Sequence, residues 1–557
     1  MTAALDKSYG KGATDVPLIE QTIGDFFDAM VARQPAREAL VSRHEGQRFT
    51  YRQLQAASNQ LASALLGLGL VPGDRIGIWS HNNVPWVLMQ IATAKLGLIL
   101  VNINPAYRSS ELEYALNKVG CKALVTMAQF KTSDYLGMLR ELGPQRLPQL
   151  QHSFWIDTPG EGAEQPGLQR FSQLLASGTA DDPRVAAIQQ AQKATDPVNI
   201  QFTSGTTGFP KGATLTHRNI LNNGFFIGEC MGLTPEDRLC IPVPLYHCFG
   251  MVLGNLACIT HGATIVYPND GFDPLTVLQT VQDEKCTGLH GVPTMFIAEL
   301  DHPRFKEFDL STLRTGIMAG SPCPIEVMKR VVSDMHLSQI TIAYGMTETS
   351  PVSCQSSTDT PLDKRVATVG TVQPHLEVKI IDADTGDIVP IGSTGELCTR
   401  GYSVMHGYWG DVEKTREAID AEGWMHTGDL ATMDAEGYVN IVGRSKDMVI
   451  RGGENIYPRE VEEFLYRHPK VQDVQVVGIP DRRYGEELCA WIIAKPGQSV
   501  TEDDVRDFCK GQIAHYKVPR HIRFVAAFPM TITGKIQKFK MREAMREELG
   551  LTEDKAA

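Results

Sequence analysis

A chain of 557 residues is too long for one ordinary hydrophobic core and implies roughly three to four structural units. Its composition, 42% hydrophobic and 21% charged, is that of a globular protein. A formal net charge of −12 excludes the basic footprint that a nucleic-acid partner requires.

The 11 cysteines include no Cys-x-x-Cys pair, which argues against a disulfide framework or a zinc site. Their usage predicts a reducing, cytoplasmic setting. Asp6 and Lys7 interrupt the first residues, so no signal peptide is predicted. Residues 1–20 are polar and predict little order. From Ile23, the apolar spacing of Phe26, Phe27, Met30 and Val31 predicts a helix. Thr50 offers an N-cap to the next helix, which carries Leu54, Ala57, Leu61 and Leu65. A turn over 71–74 leads into a short strand over 75–79, then a helix, then a strand over 98–102. The most apolar region, 87–101, contains Gln90 and Lys95 and is too short to span a bilayer. This alternation predicts a parallel sheet with helices on its faces, and it recurs around 122–126, 264–267 and 339–343. Residues 158–197, richer in Gly, Gln, Ala and Asp, read as a surface excursion.

The character changes after about residue 370. Strands over 378–382, 395–400 and 438–442, punctuated by Gly and Asp turns, predict an antiparallel, barrel-like unit. The last segment reads as strand, helix (458–467), strand (471–478), strand (487–494), helix (502–512) and strand (523–525), a small α+β domain. The predicted class is therefore α/β. A large N-terminal domain of mixed sheets plus a barrel-like subdomain spans 1–445, and a small C-terminal domain spans 446–557.

The densest chemistry follows an apolar run over 198–202 that predicts a strand. There Thr203, Ser204, Gly205, Thr206, Thr207, Gly208, Phe209, Pro210, Lys211 and Gly212 stand in line. Glycines let the backbone approach a ligand, successive N–H groups form an anion nest, and Lys211 adds charge, which together suit a polyphosphate. No Gly-Lys-Ser/Thr is present, so a P-loop is disfavoured, and Gly-x-Gly-x-x-Gly is absent from the segment. A second cluster, Tyr344, Gly345, Met346, Thr347, Glu348 and Thr349, leaves the strand over 339–343. Ligands collect at such strand ends. Asp429 sits in a third turn after Trp424 and suits a pair of ribose hydroxyls, although a lone aspartate is more commonly a turn residue. Arg444, Lys446, the glycine turn Arg451, Gly452 and Gly453, and Lys535 after Gly534 complete the candidates.

In this order and spacing, the segments over 203–212, 344–349, 424–430 and 443–455 and the Gly534-Lys535 pair resemble the adenylate-forming, AMP-producing superfamily. The resemblance covers about residues 20–545. It implies a two-step reaction in which a carboxylate attacks the α-phosphate of ATP, giving acyl-AMP and pyrophosphate, and coenzyme A then displaces AMP. It also implies roles. Residues 203–211 would cradle the β- and γ-phosphates, and Tyr344 would stack on adenine beside Gly320, Ser321 and Pro322. Thr347 would touch the α-phosphate and Glu348 would help hold Mg2+. Asp429 and Arg444 would bind ribose. Lys535 would bridge the carboxylate and α-phosphate, Lys446 would mark the hinge of a mobile small domain, and Arg451, Gly452 and Gly453 would line the coenzyme A channel. A homodimer is common in the superfamily.

Around His247, no acidic residue occurs from 241 to 255, so an amino-acid substrate would lack its counter-charge. Phe225, Phe249 and Met251 suit an apolar tail, and the pattern most resembles medium- and long-chain fatty-acyl-CoA synthetases. An arylcarboxylate:CoA ligase and a ligase loading an acyl carrier protein remain alternatives within the same chemistry. A non-catalytic nucleotide-binding regulator would be expected to lack Lys535 or Glu348, and both are present.

Overall fold

The structure is a computed structural model and describes residues 6–130, 132–157, 165, 167–203, 210–451, 454–481, 483–510, 512–531 and 535–550. Its large domain is built on two big sheets. The 8-stranded sheet runs Gln169–Arg170, His152–Ile156, Cys121–Met127, Arg75–Trp79, Ile99–Asn102, Pro197–Thr203, Lys211–Thr216 and Gly407–Tyr408. The 9-stranded sheet runs Thr371–Val372, Val352–Gln355, Gln339–Gly345, Thr315–Met318, Gly288–Gly291, Arg238–Cys240, Thr264–Tyr267, Glu38–Ser42 and Gln47–Thr50. The central pairings of both are parallel; antiparallel strands close both edges of the 9-stranded sheet and one edge of the 8-stranded sheet, whose other edge, Gln169–Arg170, pairs in parallel.

One apolar core serves both sheets. It joins Ile76 and Leu100 of the first to Leu239, Ile265 and Ile317 of the second. Every residue of the helix Val84–Leu96 is buried in it. That helix is the apolar region of the sequence, and its two polar residues are satisfied inside the protein. Gln90 Nε2 donates to the Met251 carbonyl at 3.1 Å, and the Lys95 ammonium meets Asp28 at 2.5 Å. Such pairing is what permits a buried charge. The helix Tyr51–Gly67 starts where Thr50 predicts it, with a capping box between Thr50 and Gln53.

The reading of 158–197 as a surface excursion is corrected for the described residues. The helices Phe171–Ser177 and Pro183–Ala191 place Phe171, Leu174 and Val185 in the main core. Gly, Gln and Ala lowered the apparent hydropathy, but a few well-spaced apolar side chains suffice to dock a short helix. The expectation of little order at the start is corrected too. Tyr9–Lys11 forms an antiparallel strand against Lys379, Val378 and Glu377.

That strand belongs to a 5-stranded antiparallel unit with Leu376–Ile381, Gly395–Gly401, Met425–Met433 and Val439–Arg444, the barrel-like subdomain. The small domain follows, with a long hairpin of Val471–Asp481 and Gly485–Ala494 joined in parallel by His521–Phe524. The helices Pro458–Leu465, Glu502–Cys509 and Lys538–Glu548 cover it. Its contacts with the large domain are largely polar. Gln472 Nε2 donates to Asp301 at 2.8 Å, and Arg459 Nη1 donates to the Ile441 carbonyl at 2.6 Å. A cavity of about 410 Å³, lined in part by Ile325, Ile441, Tyr457, Arg459 and Glu463, separates the two surfaces. Polar, incompletely packed seams of this kind favour domain motion.

Candidate active site

Two parallel-sheet strands end side by side at the site. Pro197–Thr203 stops at Thr203, which pairs across the hairpin with Lys211. Gln339–Gly345 stops at Gly345, where a Cβ would stand 1.7 Å from the Pro351 carbonyl oxygen. Only glycine permits that approach, and it brings the 347–349 turn back toward the first sheet.

Glu348 is buried at the junction. Its Oε1 accepts from Thr203 Oγ1 at 2.9 Å and from Tyr408 Oη at 2.9 Å. Lys211 Nζ donates to the same phenol at 3.0 Å and lies 4.1 Å from its ring centroid. Burial and the Glu348 charge push the Tyr408 phenol up, so it stays a donor. Thr347 is buried beside Glu348. Thus Lys211, Tyr408, Glu348 and Thr203 form one chain of contacts across three segments.

The second half of the site comes from the barrel. Asp429 and Arg444 are cross-strand partners, with Arg444 Nε 3.2 Å from Asp429 Oδ1. Tyr344 Oη donates to Asp429 Oδ2 at 2.7 Å. The Gly320 turn, at φ 89°, ends the neighbouring strand Thr315–Met318 and carries Ser321 and Pro322 at the same sheet edge. Met346 is half-buried between the two halves.

Lys535 enters from the small domain. Thr531 N–H donates to the Lys535 carbonyl at 2.8 Å, and Met530 bridges to Ile536, so the loop is pinched at its base. The residue is exposed to the cleft, yet protein atoms from both domains surround it. That loss of water, helped by the Arg444 charge, lowers its ammonium to about 8 against the pull of Asp429 and Glu348. Its charge also reaches His247. Burial first, and then Lys535, hold that imidazole down at about 4.

His247 accepts the Phe249 N–H at Nδ1 over 3.2 Å. It precedes a π-helix, Phe249–Leu256, which buries Phe249 and Met251. Wide helical turns of this type are frequent at functional sites. Cys248 is buried and donates to Gln201 at 3.2 Å. Phe225 lies elsewhere. It packs against Phe226 and stacks on His261 with centroids 5.5 Å apart, in a separate cluster with Leu376 and Tyr402. Helix His217–Met231 presents two faces, and linear spacing did not distinguish them.

Residues 27–409 match the model of the AMP-binding enzyme family, and 460–535 match that of the AMP-binding enzyme C-terminal domain. The chain belongs to the AMP-binding enzyme family. Among curated relatives it is 48% identical to the putative acyl-CoA synthetase YngI of Bacillus subtilis (strain 168), over 96% of this chain and 99% of that one. It is 46% identical to the mitochondrial medium-chain acyl-CoA ligase ACSF2 of Macaca fascicularis, over 98% and 90%. Among solved structures, the anthranilate CoA ligase AuaEII with anthranoyl-AMP superposes with a TM-score of 0.87 at 29% identity, covering 97% and 99%.

In this AMP-binding enzyme, Ser204, Gly205, Thr206, Thr207 and Gly208 of the first loop lie outside the described residues, as do Gly452 and Gly453. Arg451 is described: it pairs with Glu487 at 2.7 Å and lies over Tyr484. Lys446 is exposed, and burial of its head together with Arg444 lowers its ammonium. Tyr408 is the residue that sequence reasoning missed. Its only linear signal is a Gly-Tyr-Trp turn, and its phenol's partners, Glu348 and Lys211, stand 60 and 197 positions away. Among the described residues, no helix is long and apolar enough to cross a membrane.

Proposed function

We propose that this AMP-binding enzyme is an AMP-forming fatty acid:CoA ligase acting on medium-chain acids. The carrying observation is the position of Lys535, where the charges of Arg444, Asp429 and Glu348 act on its ammonium and its own charge acts on His247. One cation thus stands between the apolar side of the cleft and its nucleotide side.

In the first step a carboxylate oxygen attacks the α-phosphorus, the bond to the bridging oxygen breaks, and pyrophosphate leaves. Two anions must approach each other, so the residues' work is charge screening and positioning. Lys535 holds the carboxylate against the α-phosphate. Thr347 donates to the α-phosphate, and Lys211 with Thr203 and the following loop binds the leaving phosphates. Asp429 and Arg444 hold the ribose, and Tyr344 covers the adenine beside Gly320, Ser321 and Pro322.

Glu348 fits a Mg2+ ligand. It is a buried carboxylate whose hydrogen bonds to Thr203 and Tyr408 both fall on Oε1, and Mg2+ takes one or two carboxylates with phosphates and water. The ion would screen the triphosphate charge.

In the second step the coenzyme A sulfur attacks the acyl carbonyl, its proton is lost, and AMP departs. Lys446 would serve as the hinge between a large domain ending at 445 and a small domain from 446. Rotation would withdraw Lys535 and present Arg451, Gly452 and Gly453 to the pantetheine arm. The acid's tail would run past His247 over Phe249 and Met251, beside the buried amides of Asn102 and Gln201, which donate to the Met251 sulfur at 3.1 Å each. A reducing compartment such as the cytoplasm fits 11 free cysteines, 10 of them buried. A homodimer is the proposed assembly.

The test is pyrophosphate release with octanoate, decanoate, palmitate, benzoate and anthranilate, with and without coenzyme A. Coenzyme A-dependent turnover should be greatest with octanoate or decanoate. Preference for the aromatic acids would replace this reading with an arylcarboxylate:CoA ligase.

A further inference from the structure

The barrel carries a second cluster that the adenylation chemistry does not use. Glu396 and Cys398 are two apart on the strand Gly395–Gly401 and so face the same way. His426 pairs directly opposite Cys398 on Met425–Met433. One ligand atom from each of the three lies within 4.8 Å of the other two. His426 Nδ1 stands 3.5 Å from Cys398 Sγ and 3.1 Å from Glu396 Oε2. In a tetrahedral zinc site, usual bond lengths require about 3.5 Å between sulfur and nitrogen and about 3.3 Å between nitrogen and oxygen. The sulfur–nitrogen pair already stands at that spacing and the nitrogen–oxygen pair about 0.2 Å inside its own.

We propose that Glu396, Cys398 and His426 form a binding site for a borderline-soft divalent cation of the zinc class, separate from the Mg2+ position at Glu348. The outer groups support it. Glu396 Oε1 accepts the Gly428 N–H at 3.0 Å, which leaves Oε2 toward the histidine. The Asp420 carboxylate lies 3.6 Å from His426 Nε2 and is itself held by the N–H groups of Glu422 and Trp424 at 2.9 Å each. The negative charge there, although too far for a direct hydrogen bond, favours the ring hydrogen on Nε2, which leaves the Nδ1 lone pair for a metal. Cys398 is fully buried under Ile381 and Trp424, while His426 and Glu396 reach solvent, so water can fill the fourth position. Two cations, Lys379 and Arg400, lie over Trp424 at 4.4 Å each, and Arg400 is paired with Glu377 at 3.0 Å, so Glu396 and Asp420 are left facing the Lys379 ammonium. A bound cation would take Cys398 as the thiolate, its proton passing to solvent.

The turn carrying His426 leads to Gly428 and Asp429, so the cation would stiffen the backbone that presents Asp429. The experiment is a Co2+ titration of the chelator-stripped full-length enzyme without nucleotide. One equivalent should produce a near-ultraviolet thiolate-to-cobalt charge-transfer band, and Zn2+ should bleach it. C398S should lose the band, and D420N should keep it with affinity weaker by about 10- to 100-fold. Zn2+ should raise the Tm of the wild type but not of C398S. Absence of the band in the wild type, or its persistence in C398S, overturns the proposal. If C398S does not fold, H426Q decides: unchanged Co2+ affinity overturns the site.

Discussion

Lys535 offers a prediction with its magnitude built in. Its ammonium is lowered to about 8, and only the charged form can hold two anions together. The sign follows directly: activity that needs the charge is present below pH 8 and is lost as pH rises through it. About nine-tenths of the lysine is charged at pH 7 and about one-tenth at pH 9, so kcat/KM for adenylation should fall about tenfold across that interval. His247, held at about 4, does not titrate there. The assay is ATP–pyrophosphate exchange without coenzyme A, because the coenzyme's own thiol would titrate in the same range. Lys535→Ala should lose about 10²- to 10³-fold in adenylation, the usual loss for one preorganised donor to a transition state. It should also lose the pH break, while thioester formation from supplied acyl-AMP changes little. Acetylation of Lys535 removes the same charge and should have the same effect. Equal loss of both half-reactions, or a wild-type profile flat from pH 7 to 9, would refute the assignment.

Tyr408→Phe removes a donor to the buried Glu348 and an acceptor for Lys211. A hydrogen bond to a charged group is worth about 1.5–3 kcal/mol, so KM for ATP should rise at least about tenfold in steady-state assays. Asp429→Asn should shrink the preference for ATP over 2′-deoxy-ATP, read as a ratio of kcat/KM values, whereas a maintained ratio would remove Asp429 from the ribose site. Gly345→Ala places a methyl against the Pro351 carbonyl and should abolish pyrophosphate exchange, with circular dichroism reporting whether the fold survives. Thr50→Ala breaks a capping box far from the site; denaturant titration should show a loss of about 1 kcal/mol with kcat unchanged.

Local signals carried much of the architecture. Thr50 predicts its helix because the cap and its Gln53 partner are three residues apart. The strands near 75–79 and 339–345 are short apolar runs bounded by turns, legible without tertiary context. The site was legible as separate motifs but not as an arrangement. Nothing in the linear spacing puts Tyr408 between Lys211 and Glu348, since that contact depends on how a barrel-side strand reaches the sheet edge at Ala213. Phe225 shows the opposite failure. It neighbours Phe226 on a helix with two buried faces, and the choice between them is made by Tyr402 and Leu376, more than 150 positions downstream. The short helices after Gly167 were hidden because propensity there is weak and docking supplies their stability.

The strand Tyr9–Lys11 joins the start of the chain to Leu376–Ile381, and Tyr9 donates to Glu377 across 368 positions. On a ribosome, that partner emerges roughly 20 to 70 s after the strand does, at ordinary synthesis rates. Until then the early segment has nothing to pair with, and without it the Leu376–Ile381 edge would be open to other chains. Polarity in Asp6, Lys7, Ser8 and Lys11 keeps the waiting piece soluble. The feature that makes these residues look dispensable on paper is what suits them to wait for their place in the barrel. Trimming them to tidy an expression vector would leave a full active site on a protein prone to self-association.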